Sequence, residues 1–303
     1  VWSETGWRTL TAALLEHAPL GPGGEPHLRA ALAAAVHRPG KLLRARLAWA
    51  TTEAHGVPQP AGLALATAVE FFHLSSLLLD DLPCMDDADM RRGEPCVHRV
   101  HGDATAILAA LAYINRAYAL VGFAVAAQPG EVRLQVQAGL DACLGTAGLV
   151  GGQARDLRFA DSDRSAREVS QIALGKTGAM LWLGLVVPAL LARPDPVERR
   201  ALASLAMYWS LAFQALDDLQ DLLATPVDAG KTTGRDRSLT RPNLAVVLGV
   251  PGTRRRIARL LAQAERSQQV LVGRREAWRY LESFQAFFAD AAAPVTGGAV
   301  VAA

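Results

Sequence analysis

The sequence predicts an all-α fold, a single bundle of about ten to twelve helices. Apolar residues recur at intervals of three and four rather than two, and β-branched runs bounded by turns are scarce. Clusters of glycine and proline divide the chain near residues 21–26, 38–40, 56–60, 128–131, 193–196 and 250–253. With 51% hydrophobic residues, the chain can bury a large core, and this composition excludes a disordered protein.

One domain is predicted for residues 1–303, with an N-terminal helix and loop at 1–25 and a flexible tail at 294–303. A net charge of +2 gives no reason to expect nucleic-acid binding. Three cysteines are too few for a disulfide framework, which favours a reducing, cytoplasmic compartment. The apolar run at 178–192 is short for a membrane span and contains a proline. We therefore predict a buried core helix there and no transmembrane segment.

A helix is predicted for residues 61–81, and it ends in an acidic cluster. Ala68, Phe72, Ser76 and Asp80 are spaced by four, so they lie on one helix face. Pro83 ends the helix. Residues 77–95 read LLLDDLPCMDDADMRRGEP and contain five aspartates: Asp80, Asp81, Asp86, Asp87 and Asp89. Five carboxylates in ten residues repel one another, so this cluster is either a solvated surface or a site for a cation.

A second acidic cluster occurs in a predicted helix, where residues 213–221 read FQALDDLQD. Asp217 and Asp221 are one helical turn apart, and Asp218 and Gln214 are likewise four residues apart. The surrounding positions are apolar, so a compensating cation is expected here too. Mg²⁺ is typically held by a few carboxylates together with the phosphates of a substrate. The two clusters together predict a magnesium site for a phosphorylated ligand.

Several cations could bind the phosphates, although each alone is typical of a solvated surface. They are Lys41 and Arg44 in PGKLLR, Arg91 and Arg92 in MRRGEP, Lys176 in GKTG, and Lys231 in AGKTTGRD. Neither lysine–threonine sequence has the spacing of a P-loop. Cys84, Cys96 and His98 do not fit the spacing of a zinc site. A lone His73 is more typical of a core histidine than of a ligand.

The ordered motifs resemble those of the trans-polyprenyl diphosphate synthases, closest to the bacterial carotenoid-type geranylgeranyl diphosphate synthases. DDLPCMD is similar to the first aspartate-rich motif of the family and DDLQD to the second. PGKLLR, AVEFFHLSSLLLDD, RRGEPCVH, GGQARDL, GKTG and FQALDD resemble further family motifs, in the same order. The resemblance extends from about residue 37 to about residue 250. Many relatives carry AGDAL where this chain has AALAY at 109–113, and a second lysine expected near Arg237 or Arg241 is missing.

The resemblance implies a single-domain isoprenoid synthase bundle with a deep central cavity, a homodimer, and a Mg²⁺-dependent prenyl transfer. It implies three ions per active site when substrate is bound, and each site residue takes a role by its place in a motif. The implied metal ligands are Asp80, Asp81, Asp86, Asp217 and Asp218, with Asp221 acting more indirectly. Residues that assist at the allylic diphosphate are Arg91, Lys176, Gln214 and Lys231, and Thr177 is a catalytic residue as part of the Lys-Thr pair. Residues that bind isopentenyl diphosphate are Lys41, Arg44, His73 and Arg92.

The predicted reaction joins isopentenyl diphosphate to dimethylallyl, geranyl or farnesyl diphosphate. Product length is expected to depend on the side chains below the first motif. Ser75 and Ser76 are small, and the next large residue is Phe72, about 12 Å down the helix from Asp80. We predict a C20 product, with farnesyl diphosphate as the alternative. A class I terpene cyclase and a non-catalytic partner subunit are further alternatives. A cyclase typically lacks a complete isopentenyl diphosphate site, whereas this chain has all four residues implied for that site. A non-catalytic subunit usually lacks one aspartate motif, whereas this chain has both.

Overall fold

A computed structural model gives the structure of the chain and describes residues 4–223 and 241–296. These residues form thirteen α-helices and one short β-hairpin, in agreement with the predicted all-α class. The described residues divide into two compact units, 4–133 and the remainder from 134 onward. Each unit carries one of the two aspartate motifs. The prediction of a single domain stays a prediction.

The first unit contains six helices and the hairpin. The helices are α1 (Glu4–His17), α2 (Pro26–Val36), α3 (Leu43–Ala54), α4 (Gln59–Asp80), α5 (Val97–His101) and α6 (Asp103–Val125). Glu25 caps α2, because its carboxylate accepts the amides of His27 and Leu28 while Pro26 occupies the first turn. The predicted loop and helix at 1–25 correspond to α1 and the segment after it.

Helix α4 forms the centre of the first unit, where it packs against α3 and α6. Its buried side chains include Ala68 and Phe72, as their four-residue spacing predicts. The ring of Phe71 lies 4.9 Å from that of Tyr113 on α6. The Tyr113 hydroxyl donates to the carbonyl of Leu32 at 2.7 Å, so this buried polar group is satisfied. The packing fixes the C-terminal end of α4, where the first motif begins.

The hairpin follows the first motif and was not expected from the sequence. Strands β1 (Met90–Arg91) and β2 (Glu94–Pro95) pair antiparallel. Their two-residue turn has positive φ at Arg92 (55°) and at Gly93 (80°). Positive φ at both central residues is typical of a type I′ turn. The turn therefore holds the neighbouring arginines, Arg91 and Arg92, in fixed and different surroundings.

The second unit contains most of α7 and the later helices. They are α7 (Gly130–Leu144), α8 (Leu149–Leu157), α9 (Ala166–Ala173), α10 (Ala179–Leu190), α11 (Pro196–Leu223), α12 (Leu244–Arg274) and α13 (Leu281–Thr296). A π-helical turn, Leu174–Gly178, joins α9 to α10, and 3₁₀ turns lie at Phe159–Asp161 and Glu276–Tyr280. Helix α12 is interrupted at Gly249, whose φ is 68°. Ser165 caps α9 and Asn243 caps α12 with their side-chain oxygens.

Helix α11 is the centre of this unit and packs along α12. Their apolar faces share a buried cluster that includes Leu216, Leu219, Leu244 and Ile257. The cluster lies beneath the second aspartate motif, so this motif stands on a rigid part of the fold. The predicted core helix at 178–192 corresponds to α10, which is buried at almost every position.

Three described helical segments are long and apolar enough to cross a membrane by length and composition alone. They are Gln59–Asp80, Asp103–Val125 and Ala166–Leu190. In the first and third, 67% and 72% of the apolar window is buried inside the protein, which accounts for its composition. In the second, only 39% is buried, and this helix presents an apolar face. The predicted absence of a transmembrane segment stays a prediction.

The C-terminal helix extends further than the sequence suggested. Helix α13 continues through Thr296, so the first three residues of the predicted flexible tail are helical. Residues 297–303 lie outside the described residues. All three cysteines are free in the structure.

Candidate active site

The first aspartate motif begins at the last residue of α4 and continues in a compact turn. Asp81 caps the C-terminus of α4, and Pro83 lies in the turn that follows. The chain then folds back, because the amide of Asp86 donates to the carbonyl of Asp80 at 3.0 Å and that of Ala88 to the carbonyl of Asp81 at 3.1 Å. Asp80 and Asp86 are therefore neighbours, and both are partly exposed.

Arginines neutralise three of the five aspartates in this stretch. The Arg91 Nε donates to both carboxylate oxygens of Asp81, at 2.7 and 2.8 Å, and Asp81 is buried. Arg99, which the sequence did not single out, lies 2.7 Å from Asp87 and 2.9 Å from Asp89. Charge repulsion within the cluster is thus offset in part by the protein itself, and a metal ion is not required to explain all five carboxylates.

Arg44 and His73 lie side by side in the first unit. Their closest nitrogens, Arg44 Nη1 and His73 Nε2, are 3.2 Å apart. Arginine only donates hydrogen bonds, so Nε2 of His73 accepts and the imidazole is neutral. Burial lowers the pKa of His73 well below its ordinary value, and the nearby guanidiniums of Arg44, Arg92 and Arg91 lower it further. His73 is therefore a neutral partner that orients Arg44.

Arg92 is held by the loop that carries Lys41. Its guanidinium donates to the carbonyl of Arg38 and lies directly over Gly40. A side chain at Gly40 would place its Cβ 2.5 Å from the Arg92 guanidinium carbon, and the φ of Gly40 is +62°. The positive φ therefore favours glycine at this position. Lys41 is exposed next to this contact, so the predicted group Lys41, Arg44, His73 and Arg92 comes from adjacent parts of the first unit.

In the second unit, Lys176 and Thr177 lie on the π-helical turn. The ammonium of Lys176 donates to Asp156, which is buried on α8, and Arg241 Nη1 lies 3.9 Å from the same carboxylate. Gly152 and Gly175 make this arrangement possible, because a Cβ at Gly152 would lie 2.6 Å from the Gly175 backbone. Helix α8 therefore approaches the turn closely enough for Asp156 to bind Lys176.

A chain of hydrogen bonds connects the π-helical turn to the second aspartate motif. Thr177 Oγ1 donates to Gln214 Oε1 at 2.7 Å, and Gln214 Nε2 donates to Asp218 Oδ1 at 2.9 Å. The other oxygen of Asp218 accepts the amide of Leu244 at 2.7 Å, at the start of α12. Asp218 is 1% exposed. Both of its carboxylate oxygens therefore hold parts of the protein in place.

The remaining aspartates of the second motif are more accessible. Asp217 and Asp221 are one turn apart on α11 and partly exposed. No group of three His, Cys, Asp or Glu side chains close enough to hold a metal occurs in residues 4–223 and 241–296. Pairs of carboxylates do fit Mg²⁺, which takes one or two protein carboxylates and completes its shell with water and substrate phosphates. The donor set suits magnesium bound together with a diphosphate. Lys231 lies outside the described residues.

Residues 25–274 match the family model described as Polyprenyl synthetase. The chain belongs to the polyprenyl synthetase family. It is 34% identical over 244 residues to a farnesyl diphosphate synthase of Geobacillus stearothermophilus, a match covering 80% of this chain and 82% of that protein. It is 36% identical over 208 residues to a geranylgeranyl diphosphate synthase of Pseudescherichia vulneris, covering 68% and 66%. The predicted family is confirmed, and the enzyme is a trans-prenyltransferase of the farnesyl/geranylgeranyl diphosphate synthase type.

A solved structure confirms the fold of this polyprenyl synthetase. The geranyltransferase from Helicobacter pylori complexed with magnesium and isoprenyl diphosphate has a TM-score of 0.82 and 22% identity, with coverage of 94% of this chain and 97% of that one. At this identity the likeness concerns the fold alone. The all-α isoprenoid synthase fold predicted from the motifs is therefore correct.

The residues predicted to set product length are buried or half-buried on α4 of the polyprenyl synthetase. Ser75 Oγ donates to the carbonyl of Phe72 at 2.8 Å, and Ser76 Oγ donates to that of His73 at 2.7 Å. With its hydroxyl bonded back to the helix, each serine acts as a small side chain with no unsatisfied donor. Phe72 is 2% exposed and packs edge-on against Tyr118, with ring centroids 5.0 Å apart.

Sequence reasoning missed three charged residues of these two regions. Asp156 holds Lys176, Arg99 binds two aspartates, and Glu70 is buried on α4 near Arg44 and Arg92. Asp156 and Glu70 do lie within motifs that resemble the family, GGQARDL and AVEFFH. The sequence signal for these two residues was a carboxylate inside a motif that resembles the family. Spacing along the chain does not identify the partner of such a carboxylate.

Proposed function

We propose that the enzyme condenses isopentenyl diphosphate with allylic diphosphates head to tail (1'-4), depends on Mg²⁺, and releases geranylgeranyl diphosphate (C20). The C20 assignment rests on the small side chains of Ser75 and Ser76. Both are small, and both hydroxyls bond to their own helix. The first large side chain below them on α4 is Phe72, packed against Tyr118.

Isopentenyl diphosphate binds at Lys41, Arg44, His73 and Arg92 in this proposal. The support is their arrangement in the first unit, where neutral His73 orients Arg44 and the Gly40 loop positions Arg92. Arginine guanidiniums fit diphosphate oxygens well because they donate in a planar fork. A terpene cyclase does not need this group, so its presence favours the condensation.

The allylic diphosphate binds at Arg91, Lys176, Gln214 and Lys231, with Thr177 as a catalytic residue next to Lys176. The proposed metal ligands are Asp80, Asp81, Asp86, Asp217 and Asp218, with Asp221 acting more indirectly, and we propose three ions with substrate bound. Magnesium there would neutralise the diphosphate and stabilise the departing pyrophosphate. Asp81 and Asp218 already accept hydrogen bonds from the protein, and a carboxylate has about four lone-pair sites, so these contacts are compatible with metal binding. Apolar residues such as Phe72 would exclude water from the allylic cation.

The test is incubation of the purified protein with Mg²⁺, labelled isopentenyl diphosphate and each of dimethylallyl, geranyl and farnesyl diphosphate. The chain length of the dephosphorylated products is then measured. A C20 alcohol is expected, and its loss on chelation of the metal. A C15 limit would reject the C20 assignment and retain the condensation. Release of pyrophosphate without condensation would point to a cyclase.

The serine argument has its own test in Ser75→Phe. Ser75 is 2% exposed, so a phenyl ring there adds bulk at a buried position of α4, and we expect the main product to shorten from C20 to C15. Ser75→Ala is the matched control, because it removes the hydroxyl that bonds to the Phe72 carbonyl without adding bulk. The alanine variant is expected to keep the C20 product. A C20 product from the phenylalanine variant contradicts the assignment.

A homodimer is part of the proposal and is supported by the exposed face of α6. Its apolar side chains are 40–59% exposed and share one side of the helix: Ile107, Leu108, Leu111, Tyr118 and Phe123. An apolar face of this extent on a folded protein is typical of an interface. Sedimentation should give a dimer, and Leu111→Asp should shift it towards monomer. A monomer at micromolar concentration would reject this assignment. The cytoplasmic location stays a prediction.

A further inference from the structure

Glu70 differs from the other buried carboxylates of the described residues. Five are buried, and four of them have close partners within the protein. Those four are Asp81 with Arg91, Asp156 with Lys176, Glu198 with Arg275 and Trp278, and Asp218 with Gln214 and the Leu244 amide. Glu70 is 4% exposed, and among the described residues its Oε2 has no hydrogen-bond partner. Asp156 Oδ1 also has none, but the other oxygen of Asp156 binds Lys176. A buried carboxylate oxygen without a hydrogen bond lowers the stability of the protein, so its presence calls for an explanation.

The charged groups facing Glu70 come from two neighbouring segments. Arg44 on α3 and Arg92 in the hairpin turn both exert a favourable Coulomb interaction on its carboxylate. On α4 itself, neutral His73 is engaged with Arg44. On α6, the Tyr113 hydroxyl is engaged with the carbonyl of Leu32. The two arginines are therefore the charges that Glu70 balances.

Arg44 also keeps unused hydrogen-bonding capacity next to this carboxylate. Its buried Nε has no hydrogen-bond partner within the described part of the chain, although its Nη1 lies 3.2 Å from His73 Nε2. A buried acceptor on Glu70 and a buried donor on Arg44 thus remain unsatisfied in the same small region. Burial raises the pKa of Glu70 to about 7, while the nearby guanidiniums of Arg44 and Arg92 act to lower it. The carboxylate therefore changes charge close to neutral pH.

We propose that Glu70 is a positioning residue that balances Arg44 and Arg92 in the free enzyme and takes up a proton from solvent when isopentenyl diphosphate binds to them. This inference rests on the proposed function, which assigns that substrate to these arginines. The diphosphate supplies negative charge to both guanidiniums, so a second anion behind them becomes unfavourable. Protonated Glu70 removes that repulsion and can donate a hydrogen bond from its carboxyl group.

The affinity for isopentenyl diphosphate is expected to fall as the pH rises. Below about pH 7 Glu70 is already protonated, so the arginines present their full charge and the substrate binds tightly. Above that pH the carboxylate must gain a proton on binding, and the affinity for isopentenyl diphosphate falls. Uptake of one proton can lower this affinity by at most about tenfold for each pH unit. Because saturating substrate compensates, the effect appears in KM and not in kcat.

The experiment is calorimetric titration of isopentenyl diphosphate, alone and without Mg²⁺ or allylic primer, into the native enzyme and into Glu70→Gln. Titrations in two buffers that differ in ionisation enthalpy give the number of protons taken up. Glu53→Gln is the matched control, because it removes the same charge from an exposed position of the first unit. Protonation of the substrate itself is common to all three proteins.

The native enzyme and Glu53→Gln should take up about half a proton more than Glu70→Gln at pH 7.5. Between pH 7.5 and 8.5 the native KM for isopentenyl diphosphate should rise about three- to tenfold more than that of Glu70→Gln, with kcat unchanged. Equal proton uptake in the native and glutamine proteins, with binding intact, overturns the role of Glu70 and leaves the proposed function standing. Absence of isopentenyl diphosphate binding to the native enzyme overturns both.

A spectroscopic measurement on the native enzyme avoids dependence on the variant's folding. Infrared difference spectra recorded at pH 8 on addition of isopentenyl diphosphate should show a new carbonyl band of a protonated carboxylic acid. That band is expected to shift in deuterated water. If binding occurs and no such band appears, Glu70 does not take up the proton and the proposal is wrong.

Discussion

The two aspartate motifs lie in different local structures, and yet the middle aspartate is buried in both. In the first motif α4 ends at Asp80 and the chain folds back, whereas in the second the motif stays within α11. In both, the second aspartate of the adjacent pair is buried, Asp81 at 4% exposure and Asp218 at 1%. The first member of each pair stays partly exposed. In each pair, the partly exposed member is therefore the one that solvent can reach.

The two buried carboxylates differ in the contacts that the described residues make with them. Asp81 is paired with a cation, Arg91. Asp218 is held by neutral donors, the Gln214 amide and the backbone amide of Leu244. An ion pair ties Asp81 to a residue that also has a proposed substrate role. The contact with the Leu244 amide ties Asp218 to the beginning of the next helix, so we expect Asp218 to contribute to stability in addition to its proposed role as a metal ligand.

The largest expected effect is on activity, from Asp80→Asn in the first motif. If Asp80 is a metal ligand, losing its charge should reduce kcat/KM about 10³-fold, equivalent to about 4 kcal/mol of transition-state stabilisation. Because Asp80 is partly exposed, the free energy of unfolding should change little. Steady-state kinetics and urea denaturation measure the two quantities. Asp290→Asn, at an exposed position on α13, is the control and should keep full activity.

Asp218→Ala should produce the next largest effect, this time on stability. The substitution leaves the Leu244 amide and the Gln214 side chain without their acceptor in a buried region. Loss of a buried charged acceptor should lower the free energy of unfolding by about 3 kcal/mol. Asp217→Ala on the same helix is the matched variant and should change it by less than about 1 kcal/mol. Equal losses in urea denaturation would show that the two neighbours do not differ as described.

The fold and the two motifs could be predicted because their signals are local. Four-residue spacing placed Phe72, Ser76 and Asp80 on one face of α4, and the same periodicity placed Asp217 and Asp221 on α11. Each of these inferences needed only residues within two helical turns. Packing then buried the faces that the pattern marked as apolar.

The partners of the buried charges could not be predicted in the same way. Asp156 meets Lys176 across twenty residues, and Glu70 obtains its two arginines from other segments. The hairpin turn was also missed, because arginine with positive φ at position 92 carries no turn signal comparable to Asn-Gly. These features depend on tertiary packing, and the periodicity of the sequence does not show which distant segments pack together.

The smallest expected effect tests the link from the π-helical turn to the second motif. Thr177→Val keeps the shape of the side chain and removes the hydroxyl that donates to Gln214 at 2.7 Å. A neutral hydrogen bond of this kind contributes about 1 kcal/mol. If it orients Gln214 towards Asp218, kcat should fall about five- to tenfold, and Thr177→Ser should restore it because serine retains the donor. Equal rates for the valine and serine variants would mean that the hydroxyl does not orient Gln214 for catalysis. The contact between the π-helical turn and α11 would then be one of packing, and Asp218 would still accept hydrogen bonds from the Gln214 amide and the Leu244 amide.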